Sequence, residues 1–174
     1  MSVFETERLV MRPWREDDAE NLYKYASDPA VGPAAGWPVH TSVEDSLRVL
    51  REVLIEDKTW AVTIKPSDEP VGSIGAFPTE APNGNGAPEI GYWIGKPFWG
   101  CGYIPEAVRA LIDRCFDEGA ESVWCSHFAG NDKSRRVIEK CGFRYVMTKP
   151  WQPTPEDTRD ALYYKITRKE WEHD

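Results

Sequence analysis

One stretch near the middle of the chain leaves little freedom in how it folds. It reads Gly91-Tyr-Trp-Ile-Gly-Lys-Pro-Phe-Trp-Gly-Cys-Gly-Tyr-Ile-Pro-Glu-Ala107. After Glu89, the apolar run Ile90, Gly91, Tyr92, Trp93, Ile94 suits a central strand. From Ile104 the pattern turns helical, with Val108, Leu111, Ile112, Cys115 and Phe116 on one face and Gly119 as C-cap. Gly100 and Gly102 stand between, where glycine lets the backbone turn sharply and approach a ligand closely, and Pro105 suits a first helical turn. The N–H groups at a helix start, with the positive end of its dipole, favour an anion. The stretch therefore reads as a diphosphate cradle made of backbone, or more plainly as a strand-to-helix turn. Two rival phosphate motifs fail. A P-loop needs Gly-Lys-Ser/Thr after the glycines, and the dinucleotide fingerprint needs a third glycine where Pro105 stands.

Before this stretch, residues 8–14 alternate enough for a first strand, and Asp17 or Asp18 opens a helix with Ala19, Leu22, Tyr23 and Ala26 on one face. Residues 29–38 hold three prolines, two glycines and Trp37, and read as an irregular loop. Thr41 or Ser42 caps a second helix with the stripe Val43, Leu47, Leu50, Leu54, leaving Arg51 to solvent. Strands are expected at 60–64 and 71–77, with turns at 66–70 and 82–86. After the central helix come a strand at 123–128, a short helix at 133–140, and strands at 143–148 and 161–166. A strand meander followed by strand–helix–strand–helix–strand indicates α/β with a mixed sheet.

At 174 residues the chain is one domain's worth. A net charge of -8 argues against a nucleic-acid partner, which needs Lys and Arg to replace phosphate counterions. An acidic surface suits cationic substrates such as amines, and serves solubility equally. The first residues lack the basic and apolar regions of a signal peptide, and no apolar run approaches the roughly 18 residues of a membrane span. Cys101, Cys115, Cys125 and Cys141 are scattered, with no zinc spacing to His40, His127 or His173, so no metal site is expected. A cytoplasmic protein with reduced thiols fits this pattern, and nothing in the sequence decides whether it forms a homo-oligomer.

The segment Trp99-Gly-Cys-Gly-Tyr-Ile104 resembles the pyrophosphate motif of the GNAT N-acetyltransferases, Gln/Arg-x-x-Gly-x-Gly/Ala. Tyr92-Trp-Ile…Trp99-Gly-x-Gly-Tyr…Glu106-Ala107 is similar to the branch related to ribosomal-protein alanine acetyltransferases. So are Asn131-Asp-Lys-Ser134…Glu139-Lys140-Cys-Gly142-Phe143 and the opening Glu5-Thr6-Glu7-Arg8-Leu9…Arg12-Pro13. Trp99 stands where the motif has Gln or Arg, and Ile104 where it has Gly or Ala. The resemblance implies a GNAT-like α/β fold, a mixed, mostly antiparallel central sheet splayed at the cofactor site and flanked by helices. It also implies acetyl-CoA as co-substrate, an amine as acceptor, and no metal. Tyr92, Trp93 and Ile94 would pair their backbone with the pantetheine arm. Gly100, Cys101, Gly102, Tyr103 and Ile104 would hold the diphosphate, and Asn131 would bond the pantetheine or cap a helix.

Amine attack on a thioester needs a base for the amine, polarisation of the carbonyl, and a proton or protection for the departing thiolate. Many members of the family carry a tyrosine acid on the helix after the asparagine; here that position is Ile138. Ser134, one turn earlier on the same face, is the candidate donor, or else a pantetheine contact or helix-start hydroxyl. Glu89 is the candidate base, or a solvated strand-edge carboxylate. The loop carrying Trp37 and His40 lies where the family admits its acceptor, with His40 also readable as a loop contact. Cys101 is a poor nucleophile candidate, since no histidine adjoins it. The competing function is an acyl-CoA-binding module without catalysis.

Overall fold

The computed structural model describes residues 1–57 and 59–173. Eight strands run in the spatial order β1-β2-β3-β4-β5-β6-β8-β7. They are β1 Phe4–Glu5, β2 Leu9–Pro13, β3 Trp60–Ile64, β4 Pro70–Pro78, β5 Pro88–Ile94, β6 Ser122–Phe128, β7 Arg144–Thr154 and β8 Asp157–Thr167. Among the described residues β5–β6 is parallel, while β1–β2, β2–β3, β3–β4, β6–β8 and β7–β8 are antiparallel. Helices α1 Ala19–Ala26, α2 Gly32–Ala35, α3 Val43–Val49, α4 Tyr103–Asp117, α5 Asp132–Lys140 and α6 Arg168–His173 complete a mixed α/β protein.

The chain divides into two compact units, Met1–Gly75 with Tyr92–Ala107, and Ala76–Gly91 with Val108–Asp174. In the first, the expected helical stripes form the core. Leu22, Ala26, Leu50 and Leu54 are buried with Trp14 and Ala61, and Trp37 and Trp93 pack against them. A fully buried leucine such as Leu22 contributes about 2 kcal/mol. In the second, Trp124, Tyr163, Ala81 and Ala161 form a core against which Phe128, Met147 and Trp151 pack. Helix α4 closes as expected at Gly119. With φ 100° there, the N–H groups of Gly119 and Ala120 bond the carbonyls of Phe116 and Cys115.

Four local expectations need correction. The 29–38 segment is not wholly irregular. It holds α2, with Pro33 in its first turn and Gly36 closing it at φ 94°. A Cβ at Gly32 would lie 2.6 Å from the Trp37 ring, so glycine there lets Trp37 fold over the turn. The second helix is regular only to Val49 and widens into a π-type turn at Leu50–Ile55, which keeps Leu50 and Leu54 buried. The β7–β8 hairpin is much longer than expected. Prolines masked it, yet β7 ends the strand order, where a missing N–H costs no ladder bond. Finally, the chain's two short end elements, β1 and α6, were not expected.

Candidate active site

The loop between β5 and α4 belongs to the first unit. Gly100 and Gly102 adopt φ 74° and 80°, the left-handed region that disfavours side chains. Glu106 N–H closes the first helical bond on the Gly102 carbonyl, so the N–H groups of Tyr103 and Ile104 precede it, and Pro105 has none. This is a helix start with backbone donors presented beside two glycines, a fit to a diphosphate. The Ile104 side chain is 5% exposed and turned into the core, so its bulk does not stand over the loop. Trp99 donates its indole N–H to the Ile94 carbonyl at 3.0 Å, fastening the loop to the strand end and committing the indole N–H within the protein.

Sequence reading missed Arg8 and Glu106. Arg8 donates Nε–H to Glu106 Oε2 at 2.7 Å and Nη1–H to the Cys101 carbonyl at 3.0 Å, with its guanidinium 4.4 Å from the Tyr103 ring centre. Glu106 Oε1 accepts from the Arg8 backbone N–H at 2.9 Å and the Thr6 hydroxyl at 2.5 Å. Burial pushes the Glu106 carboxyl up, but its bonds from Thr6 and Arg8 outweigh that and hold it below its ordinary value. The opening motif containing Thr6 and Arg8 was the available signal; its partner lies 98 residues away.

On the same unit, Trp93 of β5 stacks on Trp14 (6.4 Å) and takes the edge of Trp37 (5.6 Å), and Ile94 is buried. Tyr92 is half-buried. His40 is 6% exposed, its Nδ1 2.8 Å from Ser46 Oγ and its ring 5.3 Å from Trp37. It braces the Trp37 loop from inside, the loop contact open to it from sequence. Burial keeps its pKa low, favouring the neutral ring.

In the second unit, Glu89 is held on both oxygens. Thr79 donates to Oε2 and Ser126 to Oε1, each at 2.6 Å. Its strand register, Glu89 opposite Trp124 and Ile90 opposite Cys125, sets that pairing. A carboxylate oxygen has two lone pairs, so each keeps one for a further donor. Glu89 also adds to the rise in the Tyr163 pKa, which burial chiefly causes. Asn131 caps α5, its Oδ1 accepting from Ser134 N–H at 3.2 Å. Ser134 and Ile138 share a face of α5, and Ile138 is fully buried, so Ser134 faces inward. Cys125 and His127 project to one side of β6, the side of Tyr164, which lies opposite Cys125 in register and meets His127 Nε2 through its hydroxyl. Ser126 alternates to the other side and takes Glu89 with it. His127, itself buried, bonds the Phe128 carbonyl through Nδ1 and Tyr164 Oη through Nε2.

In the first unit, a helix start with two left-handed glycines follows a strand end, a backbone arrangement suited to an anion. The sequence match agrees: residues 8–144 match the family described as Acetyltransferase (GNAT) domain. The chain belongs to the GNAT acetyltransferase family, and acetyl-CoA-dependent acetyl transfer is its class of reaction. It is 33% identical over 121 residues to the uncharacterized N-acetyltransferase p20 of Bacillus licheniformis, covering 67% of each chain. Its fold is that of the ribosomal-protein-S5-alanine acetyltransferase of Vibrio fischeri (TM-score 0.73, 18% identity, 98% of this chain and 99% of that one). It is also that of the microcin C7 self-immunity acetyltransferase MccE, solved with acetyl-CoA and AMP (TM-score 0.75, 19% identity, 93% of each).

Proposed function

We propose that this chain, acting as a single GNAT domain in the cytoplasm, transfers the acetyl group of acetyl-CoA to a primary amine on a protein N-terminus or a small molecule. The observation that carries this reading is the paired left-handed glycines at the start of α4, where Gly100–Ile104 would bind the diphosphate through backbone. Tyr92, Trp93 and Ile94 would offer backbone to the pantetheine, and Asn131 a side-chain contact beyond its cap. Trp37, braced by His40, would wall the acceptor side.

The amine nitrogen attacks the thioester carbonyl carbon, the C–S bond breaks, and the acetyl group leaves with the nitrogen. Glu89 takes the proton that the amine loses, directly or through water, with Thr79 and Ser126 fixing its orientation. The departing thiolate takes a proton through the Ser134 hydroxyl, which regains one from water in the same step. Glu89 releases its proton to solvent, so both side chains return to their starting states. The resulting amide is neutral and the products are CoA and acetylated amine. Release of free thiol from acetyl-CoA, measured across a broad amine panel, tests this. Amine-dependent thiol is expected; CoA binding with no amine-dependent release sinks the transferase reading.

A second reading, an acyl-CoA-binding module without catalysis, draws on Ile138, whose fully buried aliphatic side chain replaces the family's usual tyrosine acid. The same assay separates the two.

A further inference from the structure

We propose that Arg8 is the positioning residue of the diphosphate loop: it turns the loop's amides toward the anion and cancels a carboxylate that would oppose it. The proposal rests on the reading of Gly100–Ile104 as the diphosphate site.

The loop from Trp99 to Ile104 contains no cation of its own. Arg8 grips it through the Cys101 carbonyl at 3.0 Å. In a trans peptide the carbonyl and the following N–H point to opposite sides. Fixing the Cys101 carbonyl toward Arg8 therefore sends Gly102 N–H the other way, and a carbonyl dipole that would repel an anion is turned from it. The missing Gly102 Cβ confirms the side, since it would lie 3.4 Å from Arg8 Nη2. A side chain at Gly102 would thus press on Arg8 as well as strain a backbone at φ 80°. Tyr103, under the guanidinium at 4.4 Å, limits where the arginine can go.

Glu106 makes the charge argument. It sits in the first turn of α4, where a carboxylate pairs well with the helix dipole but competes with an incoming phosphate. Arg8 Nε at 2.7 Å neutralises it, while Thr6 and the Arg8 backbone N–H hold its other oxygen. Removing Arg8 frees the Cys101 carbonyl and leaves the Glu106 charge uncompensated beside the loop. Both changes weaken binding of a diphosphate, and neither touches the pantetheine strand.

Calorimetry with CoA and with pantetheine, which has no diphosphate, is the test. Arg8→Met is expected to weaken CoA by about tenfold or more, the scale of one charge-assisted bond, and to leave pantetheine within about twofold. Adding Glu106→Gln to Arg8→Met should recover part of the loss, because the opposing charge goes too. Arg8→Lys, which keeps charge without the fork, should fall between wild type and Arg8→Met, and carries the same comparison if Arg8→Met fails to fold. Equal losses for CoA and pantetheine, or none for CoA, overturn the positioning role. If wild type binds CoA no better than pantetheine, or Gly102→Val binds CoA normally, the loop reading itself falls and the proposal with it.

Discussion

Glu89 carries one hydroxyl on each carboxylate oxygen, and that arrangement decides how its substitution should behave. A glutamine of the same size keeps one carbonyl acceptor and loses the basic oxygen. Glu89→Gln is therefore expected to lower kcat by about a hundredfold to ten-thousandfold, the usual range for a general base, with the melting temperature nearly unchanged. A purely structural strut would show the reverse, a lower melting temperature and an unaltered kcat per folded molecule. For Ser134, Ser134→Ala should lower kcat more than it raises the acetyl-CoA KM; a change confined to KM makes it a pantetheine contact. Both residues were singled out from position alone, Glu89 at the head of an apolar strand and Ser134 one turn from Ile138. Their neighbours were not. Thr79 and Ser126 stand 10 and 37 residues from Glu89, and only the strand register brings them to it.

Among the elements, the α4 start was the most readable because two apolar periods, strand and helix, flank the glycines. Its Arg8 clamp was hidden for the same reason as Thr79 and Ser126, since contacts across 98 residues leave no local periodicity. The Trp37 loop lies between these cases. Its composition said turn, but not that Trp37 would lay its edge on Trp93 and close over Gly32. That packing changes what Trp37→Ala should do. Losing a half-buried indole from this cluster should cost about 1–2 kcal/mol, less than the 3–5 typical of fully buried Trp. Differential scanning calorimetry should show a fall of several degrees. If the loop also walls the acceptor site, acceptor KM or preference shifts while CoA affinity in the folded variant stays within about twofold. An unchanged acceptor profile removes the loop from the substrate site.

For the whole molecule, the perturbed groups fix where stability should hold. Hydrogen bonds and ion pairs keep Glu16, Asp45, Asp68, Asp157 and Glu170 below their ordinary carboxyl values, as they do Glu106. A group with a lowered folded pKa contributes stability above its unfolded value near 4, and that contribution fades as pH falls through the folded one. His40 acts higher. Burial lowers its pKa, so the unfolded chain takes up its proton first as pH drops below about 6.5, and stability begins to fall there. On the alkaline side, burial pushes the Cys115 and Cys141 thiols up to about 11. Their contribution is complete below the unfolded value near 9 and is lost as pH rises from 9 toward 11. The melting temperature should therefore be flat between about pH 7 and 8.5, slope gently downward below 6.5, and drop steeply below 4. Melting curves across this range check the shape, and His40→Gln separates its causes. Removing the imidazole should lower stability at pH 7 but abolish the slope between pH 7 and 5, leaving the acid drop in place. A slope that survives the substitution assigns it to other groups.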